Sequence, residues 1–225
     1  MPHLFIDASV WSADMTRFGE EMRRVDPYVD SYHFDVSDAH LVPGLLFFPD
    51  LVAALRPLTQ KPFHIHLMSD NPLALIDAFA VAGAGRITVH YSPDISLSPA
   101  LQKIRASGKA AGLGLSLEDP PDTVLPFLDQ IDLVLMMGTP LGVKGIDLDP
   151  RACARISRLK TILSDAGFLG KIKIEADGGI RAHTVPQLYA AGADCIVPGS
   201  LVFKGEDLAA TFSWLQSPHP PYEGG

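Results

Sequence analysis

Three short stretches of the chain hold imidazoles and carboxylates at spacings that can do chemistry. Tyr32-His33-Phe34-Asp35-Val36-Ser37-Asp38 sets His33, Asp35 and Ser37 two apart. A strand there turns all three to one face and Phe34 and Val36 to the other. His64-Ile65-His66-Leu67-Met68 does the same for His64, His66 and Met68, and Glu175-Ala176-Asp177-Gly178-Gly179 adds a carboxylate beside two glycines. A histidine and an aspartate aimed into an interior are costly unless paired or bound to a metal. His33, Asp35, His66 and Asp177 make two imidazoles and two carboxylates, a donor set that suits a divalent ion such as Zn²⁺, Mn²⁺ or Fe²⁺. The same spacing also fits separate hydrogen-bonded polar residues at strand ends.

A second feature lies later in the chain. Two apolar runs finish in Asp177-Gly178-Gly179 and in Gly199-Ser200. Glycines at the ends of the last two strands of a barrel are where a phosphate is held by backbone N–H groups. Tight turns that need positive φ are the plainer explanation of the same glycines. Neither GxxxxGK[ST] nor GxGxxG occurs, so ATP or a dinucleotide is not expected.

These residues need a scaffold, and the scaffold is a repeating one. Short apolar runs occupy residues 4–9, 32–37, 63–68, 86–91, 110–117, 132–138, 171–178 and 194–200. Their length, their Val, Ile and Leu content and their weak alternation describe parallel strands covered on both faces. Helical spacing separates them, as in Phe18, Met22 and Val25, in Leu51, Leu55 and Leu58, in Leu73, Ile76 and Phe79, and in Ile156, Leu159 and Ile162. Gly83, Gly108, Gly167 and Gly192 each stand between a helical stretch and the next strand, where a helix C-terminus wants positive φ. AVAGAGRITV (80–89) resembles YAAGADCIVP (189–198), as repeated helix–Gly–strand joints should. Eight such units fill residues 1–225, which predicts one α/β domain, a (β/α)₈ TIM barrel, ahead of an open doubly wound sheet. In that fold the site lies at the C-terminal ends of the strands.

Composition narrows the function. Lys and Arg total 18 against 26 Asp and Glu, a net charge of −8, which speaks against a nucleic-acid partner. With 47% hydrophobic and 20% charged residues over 225 positions, the chain can build a large core and is neither disordered nor a disulfide scaffold. No apolar run reaches the roughly 18 residues of a membrane span. MPHLFIDASVW lacks a basic start and meets Asp7 early, so it does not read as a signal peptide. Cys153 and Cys195 are expected as buried thiols in a reducing cytoplasm.

From about residue 4 to about residue 205 the sequence resembles the ribulose-phosphate 3-epimerase family. Ser9-Val10-Trp11-Ser12-Ala13-Asp14 is similar to the family's S-I-L-S-A-D, and His33-Phe34-Asp35-Val36-Ser37-Asp38-Ala39-His40-Leu41-Val42-Pro43 to H-V-D-V-M-D-G-H-F-V-P. His66-Leu67-Met68 matches H-L-M, and Ile87-Thr88-Val89-His90 matches I-T-V-H. Asp132-Leu133-Val134-Leu135 precedes Met137 as in the family. Asp177-Gly178-Gly179 matches D-G-G, and Gly199-Ser200 matches G-S.

The resemblance implies a metal-dependent epimerase acting at C3 of a ketose phosphate on a ribulose-phosphate-binding barrel. His33, Asp35, His66 and Asp177 would hold one divalent ion (Zn, Mn, Fe or Co). Asp35 and Asp177 would also be the acid–base pair, and Ser9 and His66 would touch substrate. Gly178, Gly179, Gly199 and Ser200 would hold the phosphate, with Gly142 and Gly145 in a loop that faces it. The chemistry suits these residue types: inverting C3 removes a proton beside a carbonyl, and each of two carboxylates can alternate between acid and base. Met68 and Met137 can line the pocket or simply pack the core. The expected partner is a phosphorylated ketose, with no membrane and no nucleic acid, for a cytoplasmic homo-oligomer.

Departures cluster where substrate would be read. Ser37 replaces the family's Met, Ala39 its Gly and Gly44 its Asn, and Ser116-Leu117 stands for Asn-Pro. Gly138-Thr139-Pro140-Leu141-Gly142-Val143-Lys144-Gly145 replaces V-N-P-G-F-G-G-Q, and its Lys144 could meet a phosphate or sit in solvent. The substrate is therefore ribulose 5-phosphate/xylulose 5-phosphate or a related ketose phosphate such as allulose 6-phosphate. An aldose–ketose phosphate isomerase, or a phosphosugar-binding protein without catalysis, would use the same barrel.

Overall fold

A computed structural model describes residues 4–216. Nine strands form: β1 (Phe5–Ser9), β2 (Ser31–Asp38), β3 (Leu45–Leu46), β4 (Phe63–Met68), β5 (Arg86–His90), β6 (Ala110–Leu115), β7 (Leu133–Met137), β8 (Lys173–Asp177) and β9 (Cys195–Val197). β1 pairs in parallel with both β2 and β9, and this closes eight parallel strands into a barrel. β3 lies outside the ring, antiparallel to the last residues of β2. Each predicted apolar run supplies one barrel strand.

The helices are α1 (Phe18–Val25), α2 (Pro49–Leu55), α3 (Pro72–Ala82), α4 (Ser98–Ala106), α5 (Ala152–Asp165), α6 (Val185–Ala191), α7 (Ser200–Phe203) and α8 (Leu208–Leu215). In α5 the predicted Ile156, Leu159 and Ile162 are buried. In α3 the buried face is Ile76, Phe79 and Ala82, while Leu73 is exposed. Leu58 falls beyond α2, in a 3₁₀ turn from Arg56 to Leu58. Between β6 and β7 the connection is a 3₁₀ stretch, Pro121–Gln130, rather than an α-helix. Pro126, inside this stretch, has no backbone N–H to give, and its ring crowds the preceding turn, which disfavours an α-helix there.

Two interiors result, one on each face of the sheet. Outward side chains such as Phe34, Phe63, Ile65, Val89 and Leu113 pack under the helices in one large apolar core. Replacing one of these phenylalanines with alanine would cost about 3–5 kcal/mol. Inward side chains are different. Leu133, Leu135 and Met137 of β7 form a small apolar cluster of their own. Opposite them the barrel is filled by buried polar groups: Asp7, Ser31, His33, His64, Thr88 and Glu175. β6 contributes Gly112 and Gly114 to this interior. A Cβ on Gly112 would lie 2.0 Å from Thr88 Oγ1, and one on Gly114 would lie 2.9 Å from the His90 ring. Those two side chains take the space that β6 leaves.

Candidate active site

Strand register assembles the site. Ser9 is paired with His33 across β1 and β2, and Asp35 with His66 across β2 and β4. Asp177 ends β8, paired with Met137 on one side and Val197 on the other. Ser9 and Asp177 end their strands, while His33, Asp35 and His66 lie within β2 and β4, and all five face inward.

The four predicted ligands converge. His33 Nε2 lies 3.3 Å from Asp35 Oδ1, 3.6 Å from Asp177 Oδ2 and 3.3 Å from His66 Nδ1. His66 Nδ1 lies 3.1 Å from Asp35 Oδ1 and 3.4 Å from Asp177 Oδ2. Four donors about 2.1 Å from one tetrahedral ion are about 3.4 Å apart, so this spacing matches what one divalent ion demands. All four side chains are buried. Mixed imidazole and carboxylate donors fit a borderline transition-metal ion better than calcium or magnesium, which prefer oxygen alone.

Electrostatics follow from the packing. Burial works to raise the Asp35 carboxyl, but the His33 charge and hydrogen bonds from His33 and His66 hold it well below the carboxylate range. Burial works to lower both His33 and His66. Asp35, with Asp7 and Asp177, outweighs it at His33, and Asp177 and Asp35 outweigh it at His66, so both are raised. A divalent ion taking these nitrogens would displace protons that the carboxylates otherwise favour.

His33 and His66 are backed differently. His33 turns Nδ1 toward Asp7 Oδ2 at 3.4 Å, whereas His66 turns Nε2 toward His90 Nε2 at 2.5 Å. His90 is held well below the usual imidazole range by burial first and by His66 second. Beneath them His64 Nδ1 sits 2.7 Å from Asp7 Oδ2 and 3.2 Å from Glu175 Oε2. The sequence reading placed His64 on the inward face and missed Asp7, His90 and Glu175. A carboxylate in the middle of an apolar run, two residues before Ser9, was the available signal for Asp7.

Above the cluster lies a cavity of about 690 Å³, open to solvent. Ser9, Asp35, His66, Asp177, Gly142, Gly145, Gly178, Gly179, Gly199 and Ser200 all line it, and His33 lies one layer beneath. Met68 and Met137 line it too. Ser9 Oγ donates to Asp35 Oδ2 at 3.1 Å.

The glycines earn their places sterically as well. Gly178 has φ +89°, and a Cβ there would meet Thr139 Oγ1 at 2.2 Å. A Cβ on Gly199 would meet Ser12 Oγ at 2.2 Å. Around them stand three cations, Lys144, Arg181 and Lys204. Arg181 Nη1 reaches Ser200 Oγ at 3.4 Å, and Lys144 Nζ sits 3.3 Å from Trp11 O and 4.7 Å from the centre of its ring. Arg181, Lys204 and Trp11 were not singled out in the sequence, because no local pattern marks a side chain that meets the site only through the fold. Cys195 is buried in β9, while Cys153 is only half-buried in α5, and both thiols are free. Among the described residues, no helix is long and apolar enough to cross a membrane.

Known proteins resemble this chain in sequence and in fold. The sequence profile of the Ribulose-phosphate 3 epimerase family matches residues 5–203. A ribulose-phosphate 3-epimerase of Synechocystis sp. is 35% identical over 222 residues, spanning 97% of this chain and 96% of the relative. That of Rhodobacter capsulatus is 37% identical over 208 residues, with 91% and 88% covered. That of Bacillus subtilis is 34% identical over 209 residues, with 92% and 96% covered. Among solved structures, a 3-hexulose-6-phosphate synthase superposes with a TM-score of 0.65 at 19% identity, covering 97% of this chain and 100% of that one. Orotidine 5'-phosphate decarboxylase from Pyrococcus horikoshii gives 0.67 at 14%, with 94% and 97% covered, and shares the fold alone. The chain belongs to the ribulose-phosphate 3-epimerase family and is a carbohydrate isomerase of the epimerase class.

Proposed function

We propose that the protein interconverts ribulose 5-phosphate and xylulose 5-phosphate by inverting C3, with one divalent ion held by His33, Asp35, His66 and Asp177. The observation that carries this reading is the convergence of Asp35 and Asp177 on the same two imidazole nitrogens, His33 Nε2 and His66 Nδ1, beneath an open cavity. When bound, the ion supplies Lewis-acid stabilisation of the negative charge that develops on the sugar oxygens. Asp35 and Asp177 work from strands three apart around the ring, β2 and β8, so they flank a sugar laid over the mouth. One carboxylate takes the C3 proton and the other returns a proton to the opposite face. Each then exchanges roles in the reverse reaction.

Ser9 and His66 meet the substrate, with Ser9 also holding Asp35. The phosphate lies over Gly178, Gly179, Gly199 and Ser200, under the loop that carries Gly142 and Gly145. The guanidinium of Arg181, already on Ser200 Oγ, adds charge there. A cytoplasmic setting suits the two free thiols. Self-association is part of the proposal, with exposed Leu45 and Phe48 as its candidate surface. Light scattering reads the subunit number.

The test is a panel of phosphorylated ketoses in D₂O followed by NMR. Deuterium at C3 of ribulose 5-phosphate, with xylulose 5-phosphate appearing, is expected. Exchange on another ketose phosphate alone, such as allulose 6-phosphate, would replace the substrate. Exchange at C1 or C2 would replace the reaction with an aldose–ketose isomerisation.

A further inference from the structure

His33 has two ring nitrogens on opposite edges, and both are engaged. Nε2 faces the site, 3.3 Å from Asp35 Oδ1 and 3.6 Å from Asp177 Oδ2. Nδ1 faces away from it, 3.4 Å from Asp7 Oδ2. A neutral imidazole carries one N–H and one lone pair, and a carboxylate only accepts. An ionised Asp7 therefore draws the proton to Nδ1 and leaves the lone pair on Nε2, where a metal would take it.

Asp7 cannot swing away from this task. It is fully buried. Its Oδ1 accepts from Ser31 Oγ at 2.5 Å, and its Oδ2 also lies 2.7 Å from His64 Nδ1. His64 is pinned in turn by Thr88 Oγ1, 2.7 Å from its Nε2. Register fixes the same contacts through the backbone, with Asp7 beside Ser31 and His33 beside His64. The other ligand histidine has no such support, since His66 turns its distal nitrogen to His90, not to a carboxylate.

We propose that Asp7 is a positioning residue for metal loading: from β1 it fixes the tautomer and ring angle of His33, and so raises the site's affinity for the ion. The proposal rests on the reading of His33 as a ligand. Outer partners of this kind change metal affinity by about 10–100-fold when lost.

The experiment is a competition titration of metal-stripped protein with Zn²⁺ or Mn²⁺ against a fluorescent chelator, with metal stoichiometry and a thermal melt of each stripped variant. Asp7→Asn keeps the shape of the side chain and removes its charge, and it is expected to weaken binding by at least tenfold with little change in the melt. His64→Gln removes the closer histidine partner of Asp7 and the edge-to-face packing of the His64 ring on His33, but leaves the Asp7 carboxylate facing His33 Nδ1, and it is expected to stay within about threefold of wild type. Equal affinity of wild type and Asp7→Asn would overturn the proposal and leave the metal site standing. So would equal losses in Asp7→Asn and His64→Gln, which would mean that the buried layer acts only by packing. Two ions per wild-type chain would make Asp7 a ligand itself and also overturn it. A wild-type protein that binds no ion would sink the metal reading as a whole.

Discussion

Ser9 Oγ donates to Asp35 Oδ2 at 3.1 Å, while the other oxygen of that carboxylate, Oδ1, faces His33 and His66. One oxygen is thus turned to the two imidazoles, and the other is steadied by a hydroxyl from the neighbouring strand. Ser9→Ala removes a hydrogen bond to a charged group, of the kind that contributes about 1.5–3 kcal/mol. We expect kcat/KM to fall about tenfold or more while bound metal per chain stays at the wild-type value. Loss of metal along with turnover would show that Ser9 acts on the ligand geometry instead.

In the proposed mechanism, Asp35→Asn takes away a charged ligand and an acid–base group at once. Loss of an acid–base group alone costs about 10²–10⁴-fold in rate. The expected result is a larger drop than that, with metal content well below that of the wild type by elemental analysis. Activity that survives exhaustive chelation of the wild-type protein would remove the ion from the account.

Arg181 is the cleaner probe of the proposed phosphate site, because a side chain on Gly178 or Gly199 would collide with Thr139 or Ser12 before it met any ligand. Arg181→Ala should raise KM for the phosphorylated ketose about tenfold and weaken inhibition by inorganic phosphate in step. The unphosphorylated sugar should be turned over as poorly as before. A change in kcat at constant KM would place Arg181 elsewhere in the mechanism.

Ala39 holds φ +66° at the turn after β2, the position where the resembling family has glycine. An alanine in this left-handed region costs about 1–2 kcal/mol, part of which a glycine would give back as chain entropy. Ala39→Gly should therefore raise stability by up to about 1 kcal/mol, a shift of roughly 2–4 °C in Tm for a chain of this size. A lower Tm in a calorimetric scan would contradict this reading of the turn.

The barrel was legible because its signal is local and repeated. Each strand is a run such as FHIHLM or DLVLMM, and Gly83, Gly108, Gly167 and Gly192 do take positive φ. The inward set His33, Asp35, His66 and Asp177 was legible because period two puts His33 and Asp35 on one face without knowledge of the fold. What escaped depends on contacts between segments far apart in sequence. Asp7 meets His64 across 57 positions, and Lys144 meets Trp11 across 133. The 3₁₀ stretch before β7 has no signal in the strand–helix alternation, because Pro126 changes the local hydrogen bonding and not the repeat. Leu73 was misplaced because a helix's first turn can satisfy the spacing and still face solvent.

In the proposed mechanism, two carboxylates on opposite faces of one carbon carry the proton. The direct measurement is deuterium wash-in by metal-loaded Asp177→Asn, starting from each purified epimer in D₂O, with metal content verified. The account predicts C3 exchange from one epimer only, through Asp35, with no net epimerisation, whereas the wild type labels C3 while interconverting both. Near-normal epimerisation by the metal-loaded variant would contradict it, because the second proton would then come from a group other than Asp177.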